Sequence, residues 1–532
     1  MEKKMNKFMK RTTIGSVMRG ICYGFAALLF AASCANDDVA QENKQKKDNI
    51  PAGTTVFTGT SLPDATTRTA ILNHTKGTGA SVNWSSTDKI WVKDDGGTWQ
   101  QSTATIIPSA ANPSFAKFAL SGTYTGLSHD VLYTNTTVGT QPKVEIKKEQ
   151  TQSAPNNFDH AGESGDCGIA TGNKDGNVYN FTLNHKASYL CFIPRTNNEY
   201  VERSKLIKVE IMSDDEIAGT YDIAANGALT LASGGSKTIT VTTGSGFDID
   251  NSADDMSKNA TYAVVAPGTH KFRIRYWLRN PTGNYLGGAI EGTVSKIVTL
   301  NCTAGSIHDI TANLDPHDYD GDKYYMWDAQ QNYWSGHEWN SASPWQPALP
   351  YQDNGNYAQS NTDPRYYNEA FTSNVDNPAT HTPCKDLPNV NEMTWYAAKG
   401  EPRWDADELW TTMGHLYKGG MWFKKKANIS GFNPNTAEDG TDWRTNGNGN
   451  SWSVSQTLPD AADAGNYFYL PALSYYHSGQ LYNVGYEGFY WSSSANPWYN
   501  NNAYYLKFEK YYVYVHSLNF SRNAGLRVGT FE

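Results

Sequence analysis

Apolar and polar positions follow three different patterns along this chain. The first is a single apolar run, residues 20–33, with Phe25, Leu28, Leu29 and Phe30 at its centre, behind a basic stretch holding Lys3, Lys4, Lys7, Lys10, Arg11 and Arg19. A basic segment followed by an apolar run shorter than the roughly 20 residues of a spanning helix is the plan of a signal peptide. The second pattern fills residues 54–315. Short β-prone runs at 56–60, 89–92, 116–120, 143–146, 179–183, 189–193, 207–211, 238–242, 262–265, 271–277 and 297–300 are separated by Gly, Asn, Asp and Pro clusters. No helical period is sustained between them. So many short strands suit two successive β-sandwiches better than one large sheet, and the turn-rich stretch 171–177 divides them near Asn177.

The third pattern, residues 316–532, mixes short helices with β-prone runs. Asn389 followed three positions on by Glu392 predicts a helix opened by a capping box and stopped at Gly400. Asp405 with Glu408 repeats the motif and predicts a second helix ending at Gly414. Runs at 467–470, 489–493, 503–508, 511–517 and 525–528 then read as strands.

Composition sharpens the boundary between the second and third patterns. Residues 54–315 hold 21 aromatics in 262 positions; residues 316–532 hold 43 in 217, with twelve of the sixteen tryptophans. A single fold does not usually change its composition so sharply, and the stretch Asp315-Pro-His-Asp-Tyr-Asp-Gly-Asp322 between them reads as a linker. The expectation is a mostly β chain: a signal at 1–33, a polar tether at 34–53, tandem β-sandwich domains at 54–177 and 178–315, and an α+β domain at 316–532.

Charge and cysteines narrow the partners. The first 33 residues carry six Lys/Arg and one Glu, so a formal −9 for the whole chain becomes −14 once they are removed. That balance argues against electrostatic binding to nucleic acid or anionic lipid. Beyond Cys34 the cysteines Cys167, Cys191, Cys302 and Cys384 are scattered without metal-type spacing, so neither a disulfide framework nor a zinc site is legible. Cys191 reads as a small buried apolar residue.

Three resemblances add to this. The segment Ala31-Ala32-Ser33-Cys34 resembles a bacterial lipobox, which implies removal of the signal and lipidation of Cys34; the following Ala35-Asn36-Asp37-Asp38 is similar to the acidic export tag of Bacteroidota surface lipoproteins. Thr67-Arg68-Thr69, Val82-Asn83-Trp84 and Asp88-Lys89-Ile90-Trp91-Val92 resemble the amino-terminal signature of fimbrillin-type lipoproteins. The stretch from Phe181 to Ala187, Ala218-Gly-Thr-Tyr-Asp222, Val265-Ala-Pro-Gly268 and Ala304-Gly-Ser306 are similar to that family's second domain. The family resemblance implies a pilus subunit or anchor. It also implies proteolysis after Arg68, loss of the strand at 56–60, and its replacement by a strand from a neighbouring subunit. Finally, Leu387-Pro388-Asn389, Tyr469-Leu-Pro471, the Trp491-Ser492-Ser493 segment and the closing Arg527-Val528 resemble the FISUMP family, a relative of the C-type-lectin-like fold. That resemblance implies an architecture and no particular reaction. Asp386 departs from it, standing where the family has a tryptophan.

Enzyme chemistry finds little support in these residues. Asp405 reads as a helix cap beside Asp407, and His415, His477 and His516 lack a serine or cysteine in a nucleophile elbow. Asp318, Asp320 and Asp322 open like a calcium loop, but Lys323 stands where its glycine belongs and Ala329 where its bidentate glutamate belongs. No catalytic residue, metal or cofactor is assigned. Ligand contact falls instead to Trp334, Trp339, Trp345, Trp498 and Tyr499, aromatics in Asn/Ser/Pro-rich surroundings whose faces stack on sugar rings. Trp395, Trp410 and Trp422 read as core. The expected protein is an outer-membrane, surface-exposed lipoprotein of the fimbrillin type, lipid-anchored before pilus assembly. Its expected partners are pilus subunits and a glycan or protein ligand. A monomeric glycan-capturing lipoprotein is the alternative, and a glycan-active enzyme ranks last.

Overall fold

The computed structural model describes residues 50–532 apart from 61–69, 73, 79, 111, 136–140, 519 and 530. The signal, Cys34, most of the tether and Arg68 therefore lie outside the described residues. The described chain is mostly β and forms a single compact unit. No helix among the described residues is long and apolar enough to cross a membrane.

The first sheet runs in the order Trp99–Gln101, Ile90–Lys93, Ser128–Tyr133, Gly168–Asp175, Val178–Thr182, Thr55–Thr60, Ala116–Leu120, Ala104–Ile106. Its core gathers Phe57, Trp84, Ile90, Phe118, Leu120, Val131, Tyr179 and Phe181. Gly176 and Asn177, where the sequence pattern places a domain boundary, turn a hairpin inside this sheet, and strand pairing continues past them to Thr182.

A second and larger core follows. Ser188–Arg195 lies between Thr261–Val265 and Ile307–Asn313, facing a sheet that contains Thr238–Asp248, Lys205–Ser213, Gly268–Asn280 and Ile290–Cys302. Two strands from the first stretch of sequence join it: Lys143–Ile146 pairs Ala218–Ile223, and Glu149–Thr151 pairs Thr238–Asp248. The first two sandwiches are thus laced together.

The larger sheet does not stop at the compositional boundary. Beyond Ile290–Cys302 it continues through Arg403–Thr412, His415–Lys424 and Tyr467–Pro471. This corrects the second predicted helix. Asp405 does accept the backbone N–H groups of Asp407 and Glu408, as a cap would. Those bonds shape a bulge in a strand, where the register with the next strand shifts between Asp405 and Leu409. Met413 and Gly414, both at positive φ, then turn the hairpin. The predicted linker is also strand-like and pinned: Asp315 accepts Thr196 Oγ1 at 2.6 Å, and His317–Asp318 pairs with Trp410 and Thr411.

The other predicted helix forms as read. In Val390–Lys399 the Asn389 side chain accepts the Glu392 N–H, Glu392 accepts the Asn389 N–H at 3.0 Å, and Gly400 ends it. It packs on a mostly antiparallel sheet whose order includes Asn450–Ser453, Tyr512–His516, Ala503–Phe508, Gly488–Ala495 and, parallel to Gly488–Ala495, Gly525–Arg527. The last of these sits inside the sheet, paired with Tyr324–Tyr325, Tyr475–Tyr476 and Tyr490.

Candidate functional site

Three places could serve recognition or assembly. The first is the seat of the strand Thr55–Thr60. This strand runs antiparallel to Ala116–Leu120 on one side and parallel to Val178–Thr182 on the other, so both of its backbone edges are paired. Phe57 is fully buried, stacked on Tyr179 at 4.6 Å with Tyr124 edge-on at 5.2 Å. The Tyr179 hydroxyl donates to the carbonyls of Tyr124 and Gly126, which fixes the stacking platform from the loop side. At Gly59 any Cβ would sit 2.8 Å from the Phe181 ring, so only glycine lets the strand lie this close. Without this strand, two rows of backbone N–H and C=O groups would face an open slot, a template for a replacement strand. Residues 61–69, which include Arg68, follow it directly in the sequence and lie outside the described residues.

The second place is the set of five aromatics. Trp334 is 1% exposed and lies in the aromatic core against Tyr333 and Tyr476, so it presents no face to a ligand. Asn332 accepts the Trp334 N–H at 3.0 Å in a polar loop turn, but the ring itself packs into the aromatic core, a direction that loop composition does not encode. Trp339 is half-buried over Gly321 and Gly414, and Trp345 is stacked on the His337 ring. Trp498 and Tyr499 differ: they are 49% and 52% exposed and adjacent. Both of their backbone N–H groups donate to the side-chain oxygen of buried Asn496, at 2.7 and 3.0 Å. Asn496 in turn donates to Ser517 Oγ at 2.6 Å. The indole of Trp498 rests on Gly447, where a Cβ would meet it at 2.6 Å. This pair is exposed and held.

The third place is a cleft of about 1450 Å³ between the second core and the aromatic region, lined in part by Lys296, Tyr319, Glu408, Trp422, Tyr469 and Arg527. An ionic cluster lies beneath it. Asp405, 1% exposed, accepts Arg275 at 2.9 Å and Trp422 Nε1 at 3.1 Å, with Arg273 at 3.5 Å. The Arg273 guanidinium also lies over the Trp422 ring at 5.0 Å. Glu408 accepts Ser295 N–H at 2.9 Å, Ser295 Oγ at 2.6 Å and Thr293 Oγ1 at 3.0 Å. Burial first, and the Asp405 charge second, raise its carboxyl above the ordinary range. Burial lowers the Arg273 guanidinium. The arginine, serine and threonine partners of Asp405 and Glu408 come from the second core, so these carboxylates join two regions. The sequence carried one signal of this junction: Arg273 and Arg275, two positions apart on one strand, share a face and need a buried anion.

No protein-family model matches this chain, and no curated protein does. Among solved structures, it is similar to a candidate cell adhesion protein from Bacteroides fragilis NCTC 9343, at 10% identity over 49% of this chain and 92% of that one, with a TM-score of 0.27. It is similar to the fimbrial anchor protein Mfa2 from Porphyromonas gingivalis at 10% identity, over 49% and 90% of the two chains, with a TM-score of 0.23. A fimbrial protein from Bacteroides ovatus ATCC 8483 overlays 89% of this chain and 98% of its own, at 11% identity and a TM-score of 0.22. These solved structures are of Bacteroidota cell-adhesion and fimbrial proteins.

Proposed function

We propose that this chain is a fimbrillin-type surface lipoprotein, anchored through Cys34, that accepts a strand from a neighbouring subunit and carries an adhesive aromatic region at a pilus tip. The observation that carries this reading is the double pairing of Thr55–Thr60, the first described strand, just ahead of the segment that holds Arg68. Cleavage after Arg68 would sever the covalent link from that strand to the chain that follows, leaving its two ladders, Phe57 and the Thr60 hydroxyl among the contacts that hold it. One strand of the aromatic region, Gly525–Arg527, is already committed to its own sheet, and backbone groups so engaged are not free for another subunit. Trp498 and Tyr499 supply the exposed stacking faces that a sugar ring would meet.

Expressing the protein with Arg68→Ala in a piliated strain tests the reading. The expected outcome is an unprocessed amino terminus and loss of incorporation, while the unaltered protein is immunogold-labelled at filament ends at about one site each. Labelling along the shaft overturns the tip assignment. An unchanged mature terminus in Arg68→Ala removes that residue from the mechanism. Lipid-anchored protein that never enters filaments would favour the monomeric, glycan-capturing reading.

A further inference from the structure

One cluster lies outside all three places. Cys191 is fully buried on Ser188–Arg195, and Asp309 on Ile307–Asn313 is its register partner in a parallel ladder. Side chains paired in this way leave the sheet on the same face. His74, 4% exposed, enters from the segment that follows Ala70–Leu72, and its Nε2 lies 2.9 Å from Asp309 Oδ1. The Nε2, Sγ and carboxylate donors all fall within 4.8 Å of one another. We propose that His74, Cys191 and Asp309 form a binding site for a zinc-class divalent cation, which would fasten the start of the processed chain to the second core.

The donor set is one imidazole, one thiol and one carboxylate, the ligand chemistry of zinc. Zinc bonds of about 2.0–2.3 Å at tetrahedral angles place donors about 3.3–3.8 Å apart, so closing the set around an ion asks for movements of no more than about 1 Å. Two of the three are already oriented. The Gly77 N–H donates to Asp309 Oδ2 at 2.7 Å, and Tyr262 holds the His74 ring edge-on at 6.0 Å. Burial holds the Cys191 thiol well above its ordinary pKa. Loading therefore exchanges the thiol proton, released to solvent, for the cation. Thiolate, carboxylate and a divalent ion then sum to a neutral site with neutral His74, which suits a position this deep. The three residues come from distant stretches of sequence, which is why no spacing motif announced them.

The attachment matters because of where His74 lies. It follows the 61–69 segment, and its neighbourhood is tied to the second core by Gly77 to Asp309 and by Lys76 to Asp254. An ion here would hold the new amino terminus after processing without restraining Thr55–Thr60. The proposal does not depend on strand exchange, since metal uptake is read on unprocessed protein.

The test is metal uptake by the intact, metal-stripped chain, measured with zinc chloride by calorimetry and elemental analysis, and with cobalt(II) by absorption. The expected result is about one ion per chain, a thiolate-to-cobalt charge-transfer band, and a raised Tm. His74→Ala and Asp309→Asn should each weaken zinc at least about tenfold, and Cys191→Ser should abolish the cobalt band. If Cys191→Ser fails to fold, the other two variants decide, since neither removes an apolar core group. His270→Ala, at the Asp214–Asp215–His270 cluster, should leave uptake unchanged. Substoichiometric uptake, uptake insensitive to His74→Ala, or loss with His270→Ala overturns the site.

Discussion

In the first sheet the strand nearest the amino terminus, Thr55–Thr60, is held by two ladders and a single large buried side chain, Phe57. In the aromatic region the strand nearest the carboxy terminus, Gly525–Arg527, is held differently. Leu526 is buried, and Arg527 donates to the Asp320 carbonyl while lying over the Tyr324 ring. Nearby, Arg522 donates to the Asn368 and Ala370 carbonyls and stacks on Trp327, and burial pulls its guanidinium down to about 10. The difference lies in where the interactions are kept. A strand whose contacts are mostly backbone can be replaced by any strand with the same ladder and one apolar anchor. A strand fixed by arginines reaching into loops cannot leave without orphaning several buried polar groups.

The sharpest way to break this contrast is at the junction that binds the aromatic region to the second core. Asp405→Ala strands Arg273 and Arg275 as unpaired, nearly fully buried cations. Removing one partner of a buried ion pair costs about 3–5 kcal/mol, most of it from the charge left behind. Urea denaturation should show that loss, or a split into two transitions if the regions then unfold separately. A loss below about 1 kcal/mol would mean that water reaches the arginines.

A smaller effect is expected within the first sheet. Phe57→Ala empties a fully buried aromatic site and should cost about 3 kcal/mol. The prediction lies in its location: amide exchange should rise in Ala116–Leu120 and Val178–Thr182, the two strands that flank the slot, and stay unchanged in Gly525–Arg527. Exchange that rises everywhere would show that the first strand is not an independent unit.

Acid tests the second core, which lies between these two regions. His160 sits against Phe158 with its Nδ1 2.8 Å from Ser164 Oγ, and burial lowers it from 6.5 to about 4. A depressed histidine favours its neutral form when folded. Its contribution is complete above the unfolded value near 6.5 and is lost as pH falls toward 4, where the unfolded chain binds the extra proton. The loss should approach roughly 2–3 kcal/mol. Tm against pH should fall over that window, and His160→Gln should flatten it; an equal slope in the variant would assign the acid sensitivity elsewhere.

Legibility followed the range of the interactions. The helix Val390–Lys399 was readable because its capping box is made by residues three apart. The same motif at Asp405 and Glu408 yielded a strand, because the partners that decide its fate, Arg273, Arg275, Thr293 and Ser295, lie over a hundred residues away. Short β-prone runs could be seen, but the parallel pairing of Val56 with Val178 could not, since nothing local encodes it. Trp334 and Trp498 occupy loops of the same composition, yet one ring faces the core and the other solvent. Composition marks a loop without saying which way its side chains turn.

Asn496 carries the finest form of the comparison. If the aromatic region is held by side chains reaching across loops, its exposed pair should loosen when one such side chain is cut. Asn496→Ala removes the acceptor for the Trp498 and Tyr499 N–H groups and the donor to Ser517. The cost should be about 1 kcal/mol, because the freed N–H groups lie beside solvent and can find water. Asn496→Asp keeps the acceptor and removes the amide donor, so the Ser517 hydroxyl must turn to donate to a buried carboxylate, and the two variants separate the N–H bonds from the Ser517 link. Amide exchange at Trp498 and Tyr499 should speed up in the alanine variant and be largely restored in the aspartate one. If the pair is a sugar-stacking platform, glycan retention should follow the same order, since a ring that must be ordered on contact binds more weakly than one already held. Equal exchange in all three proteins would mean that packing on Gly447, rather than the asparagine, holds Trp498 in place.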